Sequence, residues 1–266
     1  MALFPTAGRT YVQPPTLTPA EGGIFQAAEV VDVSGHELMG VAYDSEGTYN
    51  LETVDADLAT CITAALAEPE GFSLVESEDP FEVNAAVKCF ASGGSEQEYL
   101  DEAERRITAS SQREVEQWLW EVIFPAKAVD ITPGGTAVKA KLGLGLLQEY
   151  AGKVYNFVPT LHFGKLTGTF LASADLVKFD EDEAAVQGGA QAVNGAGYFS
   201  KAGPGGVAAG PGEAWLYMTG QIVLRQSEIS TYVATEHEKN QRVAYGLRTY
   251  LATIDGFVAA IKITLE

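Results

Sequence analysis

The clearest periodic signal runs from about Ser95 to about Phe124. Tyr99, Ala103, Ile107, Ser111, Val115, Trp118, Leu119 and Val122 recur at steps of three and four, which puts them on one face of a helix. Ser95 followed by Glu98 has the form of a capping box. Glu96, Glu98, Asp101, Glu102 and Glu104 crowd the first turns, where the helix dipole favours anions. Pro125 is expected to end the helix. At ~1.5 Å per residue such a helix is roughly 40 Å long, a spine rather than an ordinary surface helix.

Other segments carry shorter patterns. Glu29–Val33, Leu38–Tyr43, Phe72–Val75 and Phe81–Phe90 read as strands, with Gly35, Gly40 and Gly47 as punctuation. A second helix is expected over 136–151, with Val138, Leu142, Gly145, Leu146 and Tyr150 on one side. A strand is expected over 153–158, then a short helix from Pro159 to about Leu171. Residues 175–212 open with the run Asp180-Glu181-Asp182-Glu183 and become glycine-rich from Gly188 to Gly212, as a flexible or tightly turning excursion would. The final third reads as strands: Ala214–Gly220, Gln221–Arg225, Arg242–Ile254 and, after an Asp255-Gly256 turn, Phe257–Leu265. Residues 1–23 hold Pro5, Pro14, Pro15 and Pro19 with only Arg9 and Glu21 charged, so they read as an extended arm with no means of folding alone.

Composition narrows the function classes. Of 266 residues, 46% are apolar and 20% charged, which suits a chain with a sizeable core. The net charge of −19 excludes a general basic face that would neutralise phosphates. It suits solubility, or a wall from which a packaged polyanion is repelled. No uninterrupted apolar run reaches membrane-spanning length, and the N-terminus has no signal-peptide core, so no membrane association is expected. Cys61 and Cys89 lie outside any CxxC and read as free thiols in a reducing compartment.

The catalytic inventory is nearly empty. His36, His162 and His237 each stand alone, with no second ligand at metal spacing. No G-x-S-x-G occurs, and Ser110-Ser111 falls inside the long helix. Gly203-Pro204-Gly205-Gly206 lacks the Gly-Lys-Ser/Thr ending of a phosphate loop, and Asn194-Gly195-Ala196-Gly197 likewise fails. The acidic run lacks the spacing of a calcium loop. These segments read as turns and solvated loops. No catalytic, cofactor-binding or metal-binding residue is assigned, no cofactor is expected, and the chain is expected not to be an enzyme.

The order of parts resembles the Hong Kong 97 capsid fold of tailed-phage major capsid proteins and encapsulins: arm, extended segments, long capped helix, mixed subdomain with a glycine-rich excursion, closing strands. Gly212–Tyr217 with Ile222–Arg225 resembles the strand pair after that family's axial loop. Asn240–Thr253 followed by Phe257–Ile261 resembles its closing segment, and Leu146–Tyr150 with Phe157–His162 its axial helix and strand. The pattern is similar in particular to capsid proteins of phages that infect actinobacteria.

The resemblance implies an α+β fold with an N-terminal arm at 1–23, peripheral strands at 24–67 and an extended E-loop at 68–94. It further implies a spine helix and peripheral domain at 95–130, an axial domain at 131–220 and closing strands at 221–266. It implies a structural protein of the virion, assembled in the host cytoplasm as hexamers and pentamers of an icosahedral shell. That shell encloses DNA without reading its sequence, with portal, scaffold or decoration proteins as further partners. No scaffolding segment is expected at the N-terminus. Some members of the fold join subunits through a Lys–Asn isopeptide bond. Lys88 is the sole lysine of 68–94 and no matching Asn is identifiable, so no such cross-link is expected. An encapsulin-like compartment, a tail or connector protein and an unrecognised enzyme are the competing readings.

Overall fold

The structure is a computed structural model that describes residues 23–45, 73–89, 95–180, 183–199, 201–236 and 241–265. The arm ahead of Gly23, Cys61 and His237 lie outside the described residues.

The long helix forms as expected at its start. Helix α2 (Glu96–Trp118) is capped by Ser95, whose side chain accepts from Glu98 N–H while the Glu98 carboxylate accepts from Ser95 N–H at 2.8 Å. Its end differs. The rod continues through a π turn (Leu119–Ile123) into α3 (Phe124–Lys127), with Pro125 inside that last turn. Proline in a regular helix clashes with the carbonyl four residues back. Here Phe124 N–H bonds the Leu119 carbonyl five residues back, and this wider ring precedes the pyrrolidine. Ala103, Ile107, Ser111, Val115 and Leu119 are buried as the periodicity predicts, whereas Trp118 is half-buried and Val122 is 52% exposed.

The short strands are β1 (Glu29–Asp32), β2 (Ala42–Ser45), β3 (Ser73–Glu76) and β4 (Phe81–Cys89), preceded by a one-turn helix α1 (Ile24–Ala27). Beyond α3 come β5 (Val129–Asp130), β6 (Val138–Lys139) and helix α4 (Ala140–Val154). The second helix thus begins four residues later than its pattern suggests. Its buried stripe is Ala140, Leu144, Leu147 and Ala151, and Leu142 is exposed. Gly143 decides between the two staggered stripes: a Cβ there would meet Ile263 Cγ2 at 2.6 Å, so only glycine lets this face approach the sheet.

The strand expected at 153–158 is instead β7 (Thr160–Gly164), and the helix expected from Pro159 is α5 (Lys165–Ser173). Pro159 precedes a strand here rather than starting a helix, and Phe157 and Val158 stay at the surface, each 58% exposed. The 175–212 segment is also more regular than its glycines suggest. It supplies β8 (Val177–Asp180), β9 (Glu183–Val186) and β10 (Gln191–Gly195), with turns confined mainly to its second half. The chain ends with β11 (Glu213–Thr219), β12 (Ile222–Gln226), β13 (Ser230–Glu236), β14 (Gln241–Ile254) and β15 (Val258–Thr264). β13 has no counterpart among the expected strands.

These strands build two sheets and a ribbon. The first sheet has five strands in the order β1-β12-β14-β13, with β4 on the opposite side of β14. Phe81–Cys89, expected in an extended loop, is therefore a sheet strand whose partner is the longest strand of the molecule. Helix α2 lies across β4, β14 and β13. The second sheet has eight strands in the order β5-β15-β11-β7-β10-β9-β8, with β6 also on β15. Helices α4 and α5 cover one of its faces, and the end of the spine rod covers the other. β2 and β3 form a separate two-stranded ribbon.

The segment expected as one closing block, 221–266, is divided between the sheets: β12, β13 and β14 lie in the first and β15 in the second. The Asp255-Gly256 turn redirects the chain, with Gly256 at φ +76°. Gly220, at the neighbouring crossing from β11 to β12, packs so tightly that a Cβ would lie 2.0 Å from the Asp255 carbonyl oxygen.

Candidate functional site

The buried polar groups sit where the spine rod meets the eight-stranded sheet. Every residue of β7 is buried, with Leu161 and Phe163 facing the helices and His162 facing the rod. His162 Nδ1 lies 3.2 Å from Tyr198 Oη and Nε2 lies 3.0 Å from Thr219 Oγ1. Full burial pushes its pKa down from 6.5 to about 3, so the ring is neutral at ordinary pH. Around it Trp120 stacks on Tyr198 at 4.7 Å, Tyr217 meets Trp120 edge-on at 4.8 Å, and Phe124 lies 4.9 Å from the imidazole. Among the described residues the ring nitrogens meet the Tyr198 and Thr219 hydroxyls, both on buried residues, and no carboxylate, so this histidine packs and bonds within the core.

Glu116 is a second buried polar group, and the periodicity of the helix did not mark it. It is fully buried and faces three donors. Oε1 accepts from Ile24 N–H at 3.0 Å and from Gln112 Nε2 at 3.3 Å, and Oε2 accepts from Gly197 N–H at 2.8 Å. One carboxylate thereby ties the start of α1, the spine helix and the turn after β10. Gly197 must be glycine, since a Cβ would stand 2.3 Å from the Arg113 carbonyl oxygen.

The other segments weighed for chemistry are turns or spoken-for groups. Ser110 and Ser111 donate to the carbonyls of Arg106 and Ile107, each at 2.7 Å. Gly203–Gly206 is a single 3-10 turn with Gly205 and Gly206 at positive φ, and Gly203 lies against the Trp215 indole. Asn194-Gly195 ends β10. Asp180 and Glu183 are register partners at the β8–β9 connection. His36 stands at the start of an exposed 3-10 turn and its side chain makes no capping bond to it. Among the described residues no group of three His, Cys, Asp or Glu side chains is placed to hold a metal ion, and no helix is long and apolar enough to cross a membrane.

Among the described residues, two of the clefts at the surface stand out. The first, about 440 Å³, lies between α2 and β4. Its floor is apolar: Phe81 stacks on Trp118 with ring centroids 4.0 Å apart, beside Val83 and Val122. Its rim carries Glu82, Glu114 and Glu121, and no basic side chain lines it. The second, about 420 Å³, lies beside the Gly256 turn and has the opposite character, with Lys127 and Lys153 around Val129, Tyr150 and Phe257. Both lysines have carboxylate partners, Glu78 for Lys127 and Glu149 for Lys153.

No family model and no curated protein matches the sequence. Solved structures do match the fold. The capsid subunit of a native GTA particle aligns over 98% of this chain and 96% of its own, with a TM-score of 0.59 at 12% identity. The head protein of Helicobacter pylori bacteriophage KHP40 aligns over 98% and 96%, with a TM-score of 0.55 at 10% identity. The acid-stable capsid of Helicobacter pylori bacteriophage KHP30 aligns over 97% and 94%, with a TM-score of 0.54 at 9% identity. The chain has the α+β, Hong Kong 97-like capsid fold that its order of elements suggests. These structures point to no single host group, so the expected link to actinobacterial phages gains nothing from them.

Proposed function

We propose that the chain is the major capsid protein of a tailed phage, a structural subunit of the virion rather than an enzyme. Many copies assemble into an icosahedral shell of hexamers and pentamers that encloses DNA without reading its sequence. The observation that carries this reading is the likeness to capsid subunits over 98% of the chain. Portal, scaffold and decoration proteins are the further partners in this reading.

Within it, the eight-stranded sheet with α4 and α5 is the axial domain, and the five-stranded sheet with the spine rod is the peripheral domain. The reaching E-loop begins on the β2–β3 ribbon, since β4 is committed to its own sheet. The segment ahead of Gly23 is an arm that lies on a neighbouring subunit. The excess of acidic side chains keeps packaged nucleic acid from adhering to the wall.

Negative-stain electron microscopy and sedimentation of the recombinant protein test the reading. Closed shells or capsomers are expected. A monodisperse monomer at every salt concentration overturns it, and tubes or isolated rings point instead to a tail or connector protein.

A further inference from the structure

Strand β4 hydrogen-bonds with β14 along its whole length and, among the described residues, with no strand on its outer side. An open edge of this kind is a template for another strand, and proteins usually blunt it. Among the described residues the edge is blunted at one end. At Ala86 the Arg106 guanidinium reaches over from α2 to the backbone carbonyl at 3.4 Å. At 81–84 the edge instead faces the first cleft, where α2 overhangs it and the aromatic floor of Phe81 and Trp118 stays open to solvent.

The cleft specifies its occupant. A strand added there needs one face with an aromatic or apolar side chain for the floor and a cation for Glu114 and Glu121, which lie on the Trp118 side of the helix. Residues 6–13, Thr-Ala-Gly-Arg-Thr-Tyr-Val-Gln, lie between Pro5 and Pro14 and are long enough to form a strand. Arg9 and Tyr11 share a face in an extended chain, and Arg9 is the only basic side chain ahead of Gly23.

We infer that residues 6–13 of a second copy of this chain add as a strand to the open edge of β4, with Tyr11 on the Phe81–Trp118 floor and Arg9 against the carboxylate rim. The inference rests on the shell reading and gives the arm its receptor. The partner is a second copy because Gly23, the first described residue after the arm, lies on the far side of the helix. Gly23 packs on Gln112 and Glu116, and at 100° per residue Glu116 lies about 160° around the helix from Glu114 and Trp118. Ten chain steps separate position 13 from Gly23, a reach of roughly 33 Å, enough to cross to a neighbour.

The test places a photoreactive benzoylphenylalanine at position 84, in place of Asn84, in assembled particles. Particles are mixed from isotopically light and heavy subunits, irradiated and digested. Cross-linked peptides that join position 84 to residues 6–13 of the other isotope are expected. Intact particles whose position 84 joins anything else, or only its own chain, overturn the strap and leave the shell reading standing. A parent protein that forms no particles overturns both. A charge exchange gives a second readout. Arg9→Glu should raise the concentration needed for assembly about tenfold, as loss of one charged hydrogen bond would. Glu114→Lys on the same chain, on the helix face of Trp118, should recover most of that. A double variant no better than Arg9→Glu alone counts against the strap.

Discussion

The two sheets solve the same packing problem in opposite ways. In the eight-stranded sheet the central strands β7, β11 and β15 are buried on both faces, between α4 and α5 on one side and the spine rod on the other. In the five-stranded sheet β4 alternates: Val83 and Val87 are buried under α2 while Glu82, Asn84 and Ala86 are exposed. The face turned away from α2 carries Tyr232 stacked on Tyr245, with Tyr232 46% exposed. A sheet covered on both sides keeps its shape unaided. A sheet covered on one side has surface left to give to a partner. Substitutions should therefore damage folding around the first and assembly around the second.

The largest effect is expected from Phe124→Ala. The ring is fully buried where the rod meets the eight-stranded sheet, and its removal should cost about 3–5 kcal/mol in a chemical denaturation curve. A loss below 1 kcal/mol would mean that the two-sided packing is not what holds this sheet. Glu116→Ala comes next. It strands the buried N–H groups of Ile24 and Gly197, and about 2–4 kcal/mol should be lost. Glu116→Gln, which still accepts hydrogen bonds, should recover part of that.

His162 adds a pH dependence. Its folded pKa of about 3 lies below the ordinary 6.5, so between those values the unfolded chain takes up a proton that the folded chain refuses. Its stabilising share is full above pH 6.5 and falls as the pH drops, by about 2 kcal/mol between pH 7 and pH 5. Urea midpoints at the two pH values should differ by less in His162→Gln than in the parent. An unchanged difference would sink this account.

Trp118→Ala lies on the one-sided sheet and should cost only about 1–2 kcal/mol, less than a fully buried tryptophan, because its ring is half-buried against Phe81. The cost to particle yield should exceed the cost to subunit melting. Tyr232→Ser should change subunit stability least, by less than about 1 kcal/mol. Normal particles from both variants would break the comparison.

The parts legible in the sequence were those with a local cause. The capping box, the helix face at Ala103, Ile107, Val115 and Leu119, and the long strands at 214–220, 242–254 and 257–265 all carry their own periodicity or punctuation. The misread parts depend on distant contacts. The buried stripe of α4 is set by Gly143 against Ile263, 120 residues later in the chain. The strand at 160–164 reads as a helix start because burial on both faces leaves no alternation. β13 hides in the polar sequence Ser-Thr-Tyr-Val-Ala-Thr-Glu, whose strand character rests on pairing with β14. Glu116 carries no local signal for burial, since its three donors come from two remote segments and one neighbouring turn. A proline ahead of a strand and a proline inside a π turn look the same in the sequence as one that starts or stops a helix.

The paired crossings between the sheets have a mechanical consequence. The chain passes from β11 to β12 at Gly220 and back from β14 to β15 at Gly256, and the two passages are laced together. Gly220 N–H donates to the Phe257 carbonyl at 3.1 Å and Asp255 N–H to the Gln221 carbonyl at 2.8 Å. At this seam a force that pulls the two sheets apart is carried by two covalent strands in parallel, beside the third connection that the spine rod makes from β4 to β5. Each strand is anchored at both ends by long antiparallel ladders, β11 against β15 and β12 against β14. Those ladders are loaded along their length, so many hydrogen bonds must break together rather than one after another. Outward pressure on a wall built from such subunits would load both ladders at this seam together.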